Sequence, residues 1–164
     1  MVPKRTVGFL VQRLQDYEVY DKESLNQFYE EIPLSVKEEL GYGGGSLYLL
    51  DKDSNKVSLM GSSRLSRSDY EYMTKHIYEN NLVSICIKTQ KVILKHGENV
   101  YAVPSKISSK SYLSLRMASP IISSGESIGS LSLDTEEVKP EDFSFLKTLG
   151  ETLGGLIEKK RQYR

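Results

Sequence analysis

Arg116 stands inside an apolar stretch, "SLRMASPII", between Leu115 and Met117. A guanidinium placed there can grip a carboxylate or a phosphate through two parallel hydrogen bonds. It can equally pair with an acid from a neighbouring loop, or lead its charge along the strand to solvent. The polar segment before it contains Tyr101, Lys106 and Tyr112, whose phenols and ammonium are suited to close over the same ligand. Other chemistry-bearing residues are few. A thiol–disulfide redox cycle requires an attacking thiolate and a resolving thiol, and Cys86 is the single cysteine of the chain. In the context "VSICIK" it reads as a small buried hydrophobe. His76 and His96, the two histidines, lack metal-ligand spacing and any surrounding cluster of thiols or carboxylates. "GYGGGS" has the glycines of a phosphate loop but leads into a strand, with no Gly-Lys-Ser/Thr after it. Carboxylates such as Glu136 and Glu137 sit in solvated runs, and no nucleophile triad is discernible. No catalytic residue and no metal site is expected.

Composition narrows the class. A chain of 164 residues suits one domain with a real core. Lysine plus arginine and aspartate plus glutamate number 22 each, so no net field draws the chain to nucleic acid. The lone cysteine excludes an internal disulfide and fits a reducing cytoplasm. The N-terminal segment lacks the apolar core of a signal peptide. No apolar run approaches the ~20 residues that span a bilayer. Neither nucleic-acid nor membrane contact is expected.

The elements that would position Arg116 follow from periodicity. "TVGFLVQRLQDY" places Val7, Leu10, Val11, Leu14 and Tyr17 at spacings of three and four, an amphipathic helix. Residues 1–20 form this N-terminal unit, and 21–164 the remaining domain. "DKESLNQFYEEI" reads as a second helix with Ser24 and Gln27 as a capping box, to be ended or kinked by Pro33. Ser35 and Glu38 offer a further box for the short piece "SVKEEL". Strands are expected at Ser46–Leu50 and Lys56–Ser62, joined by "DKDSN". "SRSDYEYMTKHIYENN" has helical spacing through Tyr72, His76 and Tyr78, while "LVSICIKTQKVILKH" is ambiguous until a strand at Lys91–His96. Residues 97–112 read as a loop. Strands at about 113–123 and 126–134 precede a long helix opened by Pro140. Alternation along the first of these puts Leu115, Met117, Ser119 and Ile121 on one face and Arg116, Ala118 and Pro120 on the other. The order predicts an α+β fold, an antiparallel sheet with helices packed on one face.

The last hairpin and helix, "MASPII", "SSGES", "IGSLSLDTEE" and "PEDFSFLKTLGETLGGLIEK", resemble the closing motifs of the GAF domain family. "GSLYLLDKDSNKV" resembles its first strands and "SICIKTQKVILKHG" its middle segment, so the resemblance spans roughly residues 24 to 160. It implies a central antiparallel sheet of about six strands, terminal helices covering one face, and loops with a helix forming a pocket on the other. Arg116 would then face the pocket. The family's usual role is a sensory or dimerisation module of signalling proteins and transcription regulators, with small-molecule ligands in some members. One branch reduces free methionine sulfoxide with cysteines, which the lone Cys86 does not fit. The segment around Cys86 does not match the family's chromophore-attachment site, and the pattern of its cyclic-GMP-binding branch is absent. The resemblance therefore implies a non-catalytic regulatory domain that binds a small molecule, assembles, or both, with no obligatory cofactor.

The final helix adds an assembly expectation. Leu146, Leu149, Leu153 and Leu156 alternate at three and four, and Gly150 and Gly154 flank that stripe. Helix-interior glycine is costly unless another backbone approaches closely. That backbone could belong to this chain's own sheet or to a second copy. A homodimer through the terminal helices would use Leu10, Leu14, Leu149, Gly150, Leu153 and Gly154 in a four-helix bundle about a two-fold axis.

Overall fold

In the computed structural model, residues 5–63, 74–76, 82–96, 99–101, 115–135 and 140–163 are described. Among them lie four helices: α1 (Arg5–Asp16), α2 (Lys22–Leu40), α3 (Leu82–Thr89) and α4 (Pro140–Lys160). The strands are β1 (Gly44–Asp51), β2 (Lys56–Ser62), β3 (Thr74–His76), β4 (Ile93–His96), β5 (Asn99–Tyr101), β6 (Leu115–Ser123) and β7 (Glu126–Thr135). They form one sheet in the order β3-β2-β1-β7-β6-β4-β5, antiparallel at every junction. The expected fold class is observed. The strand count differs from about six because five strands of four or more residues make the body and two three-residue strands extend its edges. One of these, β3, lies where helical spacing was expected. Three residues paired to Lys56–Ser58 are extended there by the neighbouring strand rather than by their own periodicity.

The start of α2 lies earlier than the sequence suggested. Asp21, not Ser24, is the cap: its carboxylate accepts from the Ser24 N–H at 2.8 Å, and Ser24 Oγ accepts from the Asp21 N–H at 3.0 Å. Pro33 does not end this helix, and no second helix begins at Ser35. The proline removes the donor that would reach the Tyr29 carbonyl. That carbonyl lies instead against Gly61 of β2, where a Cβ would sit 2.4 Å from the oxygen. Gly41, at φ +80°, ends α2 and donates its N–H to the Lys37 carbonyl. The β6–β7 turn has two successive residues at positive φ, Ser124 and Gly125, the twist that suits a two-residue hairpin.

The sheet has two different faces. One is packed by α1, α2 and α4, with Leu47, Leu49, Met117, Ile121, Leu131 and Leu133 meeting Phe28, Ile32, Leu146 and Leu153 in the main core. On the other lies α3, through Val83 and Ile87 against Tyr48, Val57 and Leu59, and through Leu82 and Cys86 against Ile93 and Ala118. Alternation along β6 therefore falls as the sequence predicts. Met117 and Ile121 face the helical core, and Ala118 faces α3.

Helix α4 sits on β6 backbone to backbone. A Cβ at Gly150 would lie 1.9 Å from the Pro120 carbonyl oxygen, and one at Gly154 1.9 Å from that of Ile122. Ser119 Oγ donates to the Leu146 carbonyl at 2.6 Å along the same seam. Gly155, the next residue, has open space where its Cβ would be. Adjacent alanine substitutions should thus have opposite signs. Gly154→Ala forces the helix off the sheet and should cost about 1–3 kcal/mol or more. Gly155→Ala should add up to about 1 kcal/mol, the helix-propensity difference. Urea unfolding of the two variants checks both.

Candidate functional site

The face turned toward α3 is ordered in rows by the strand register. Tyr48, Ser130 and Pro120 are aligned across β1, β7 and β6. The next row is Ser46, Ser132, Ala118 and Ile93, and the one after it Gly44, Asp134, Arg116 and Lys95. The polarity of the face thus changes from aromatic, through hydroxyl, to charged. Ser46, Ser130 and Ser132 are all buried, whereas the same strands place Leu47, Leu49, Leu131 and Leu133 on the opposite face.

Helix α3 runs across these rows. The Ile87 carbonyl at its C-terminal end accepts from Ser127 Oγ at 2.8 Å. Leu82, its first residue, clusters with Ile93 and Ala118 of the hydroxyl row. The N-terminal end of α3, where backbone N–H groups lack intrahelical partners, therefore lies toward the charged row. Arg116 Nε lies 3.3 Å from Asp134 Oδ1 across the β6–β7 pair, with the guanidinium side chain 52% exposed. Of the roles open to Arg116 from sequence, the ion pair is present, with a strand neighbour rather than a loop acid. An exposed pair of this kind contributes little to stability.

Burial pushes the Cys86 thiol up to about 12, and the neighbouring Ser130 hydroxyl offsets this only in part. The two groups lie together, but Ser130 Oγ meets no acceptor or donor at hydrogen-bond geometry. A fully buried, protonated thiol is a poor nucleophile.

Tyr101 ends β5, on the far edge of the sheet from β1. Lys106 and Tyr112 lie outside the described residues, and Arg116 stands on β6, two strands from β5. Sequence reasoning missed Ser46, Ser130, Ser132 and Asp134. A signal for three of them exists in "GSLSLDT", where Ser130, Ser132 and Asp134 alternate with Leu131 and Leu133. Their alignment with Ser46 depends on β1–β7 pairing between residues more than eighty apart.

The six residues of the expected dimer seam all lie inside the single chain. Leu10, Leu14, Leu149 and Leu153 are buried in the core of the single chain. Gly150 and Gly154 are occupied by the β6 carbonyls. The close backbone approach that the glycines imply is intramolecular, so these six residues present no surface to a second copy. His76 and His96 take places at β3 and at the end of β4. No group of three or more metal-ligating side chains occurs among the described residues, and no described helix is long and apolar enough to cross a membrane.

No family model and no curated protein matches this sequence. Solved structures do match. The GAF domain of a phosphoenolpyruvate-protein phosphotransferase from Acinetobacter superposes with TM-score 0.73 at 17% identity, over 96% of this chain and 93% of that one. Its counterpart from Coxiella burnetii gives 0.73 at 18%, over 96% and 93%. The free methionine-R-sulfoxide reductase of Neisseria meningitidis, solved with its substrate, gives 0.66 at 16%, over 99% and 95%. The chain has the fold of a GAF domain.

The buried thiol has a measurable consequence. With its folded pKa raised, Cys86 stabilises the fold fully below the pKa of the unfolded thiol. That contribution declines as pH rises from about 9 toward about 12. Tyr42, also raised by burial and then by the charge of Asp142, adds to the decline above about pH 10. Unfolding free energies of Cys86→Ala should therefore fall less steeply than wild type between about pH 9 and 10. A thiol reagent should label the native wild-type protein only at the rate of its unfolding.

Proposed function

We propose that this chain is a non-catalytic sensory or regulatory domain that binds a small anionic ligand on the α3 face of its sheet. The observation that carries the reading is the graded face itself. Buried serines on the two central strands lead to Arg116, with Lys95 in register beside it and the N-terminal end of α3 directed the same way. A structural sheet face under a helix is normally apolar, and on the opposite face β1 and β7 present Leu47, Leu49, Leu131 and Leu133. Hydroxyls there are suited to orient a polar ligand, and a guanidinium at their border to fix its charge. Arg116 has a competitor in Asp134, so ligand binding on this reading exchanges an exposed ion pair for a charge-assisted contact to the ligand.

The fold is shared by regulatory domains and by an enzyme that reduces methionine sulfoxide. The non-catalytic reading is favoured by Cys86, whose burial keeps it protonated and which has no second cysteine to resolve it. Thermal-shift measurements against a panel of small carboxylates and phosphates test the proposal. A saturable rise in midpoint is expected for one class. Arg116→Ala should fold normally and weaken that ligand by about ten- to hundredfold, the loss of a charge-assisted hydrogen bond. A bound ligand indifferent to Arg116→Ala would remove the guanidinium from the site. Thiol-dependent turnover of methionine sulfoxide, lost in Cys86→Ser, would overturn the non-catalytic reading.

A further inference from the structure

We propose that Lys160 is a clasp that holds α1 on α2 and links its docking to the last turn of α4, so that α1 opens as a unit while the sheet stays folded. Helix α1 rests chiefly on α2. Its grip is an apolar stripe, with Leu10 and Leu14 fully buried, and one charged cluster. In that cluster Arg13 reaches Glu31 at 2.6 Å, Glu38 at 2.8 Å and Glu39 at 3.5 Å, all on α2.

The C-terminal carbonyls of α1, next to Arg13, are held differently. The carbonyls at a helix C-terminus lack intrahelical donors and carry the negative end of its dipole. Lys160 Nζ, from the last turn of α4, donates to two carbonyls there, Gln15 at 2.8 Å and Tyr17 at 2.6 Å. The same ammonium stands 5.8 Å from the centre of the Phe28 ring on α2, within cation–π range. Phe28 in turn packs against Tyr17 and Tyr29, and Arg161 donates to the Tyr29 hydroxyl at 3.1 Å. One cation thus joins α1, α2 and α4. Because α4 is keyed to the β6 carbonyls at Gly150 and Gly154, its last turn is a fixed post for the clasp. Removing the ammonium detaches α1 from that post without touching the sheet. This device stands on these contacts alone and does not depend on a ligand occupying the other face.

Hydrogen exchange of the intact 164-residue chain, resolved by peptide, tests it. Lys160→Met keeps the apolar stem over Phe28 and deletes the charge. Amides of α1 are expected to exchange about ten- to hundredfold faster in this variant, while those of β1, β6 and β7 keep their wild-type rates. Lys159→Met, which removes a neighbouring charge on the exposed side of the helix, is expected to change neither set. Unchanged α1 exchange in Lys160→Met would overturn the proposal. So would equal acceleration of α1 and the strands, which would mean that α1 opens only with the whole domain. An equal effect from Lys159→Met would reduce the contact to general electrostatics and also overturn it.

Discussion

The seat of α4 on β6 is the constraint on which the arrangement depends. Two glycines let helix backbone and strand backbone meet at a distance no side chain permits, and the Ser119 hydroxyl bridges the same seam. Once that distance is set, Leu146, Leu149 and Leu153 are forced into the space between helix and sheet, where Met117, Ile121 and Leu131 fill the gap. A second approach of the same kind occurs at Gly61, where β2 receives the carbonyl that Pro33 leaves without a donor. Both terminal segments of the fold are therefore registered on the sheet by backbone contacts, and the apolar side chains complete a geometry already defined.

With one face closed by helices, chemistry is left to the other. There the side chains of β1 and β7 shift from leucine to serine, and the charged pair Arg116–Asp134 stands at the edge of the serine row. Burying hydroxyls on a sheet is costly unless they find partners. Ser46 finds Ser62 at 3.2 Å, and Ser130 finds none at hydrogen-bond geometry. A sheet that served only to pack α3 would gain from apolar residues at these positions. The serines of β1 and β7 on this face, beside the leucines of the same strands on the other, are what give the ligand-binding reading its weight. On the same face α3 presses Cys86 into Ala118 and Ile93, where ionisation is penalised.

The terminal helices take a part different from that of a dimer seam. Their leucines complete the core of one chain, Lys160 ties α4 to the end of α1, and Arg13 ties α1 to α2. A second copy meeting these helices would encounter their outer sides, where Phe9 is 66% exposed. The glycine pair that suggested an intermolecular contact answers to β6.

Local order was readable from the residues alone. The alternation in "LRMASPII" and "SIGSLSLDT", the helical spacing of α1 and α4, and the hairpin chemistry at Ser124–Gly125 depend on neighbours a few positions away, so short-range periodicity determined them. The single cysteine and balanced charge likewise settled that no internal disulfide and no net electrostatic field exist. What tertiary structure decided are the questions in which distant segments compete. Asp21 rather than Ser24 caps α2, its own backbone extended and its carboxylate on the Ser24 N–H. Pro33 stays inside the helix because Gly61, twenty-eight positions away, accommodates the displaced carbonyl. Thr74–His76 is a strand because β2 offers an edge. Arg116 has Asp134 as its partner, and Gly150 and Gly154 have β6 as theirs, because the β6–β7 register and the seat of α4 bring them within reach. Residue type states that a group requires a neighbour of a given kind; only the folded chain, by closing long loops into one sheet, selects which neighbour it is.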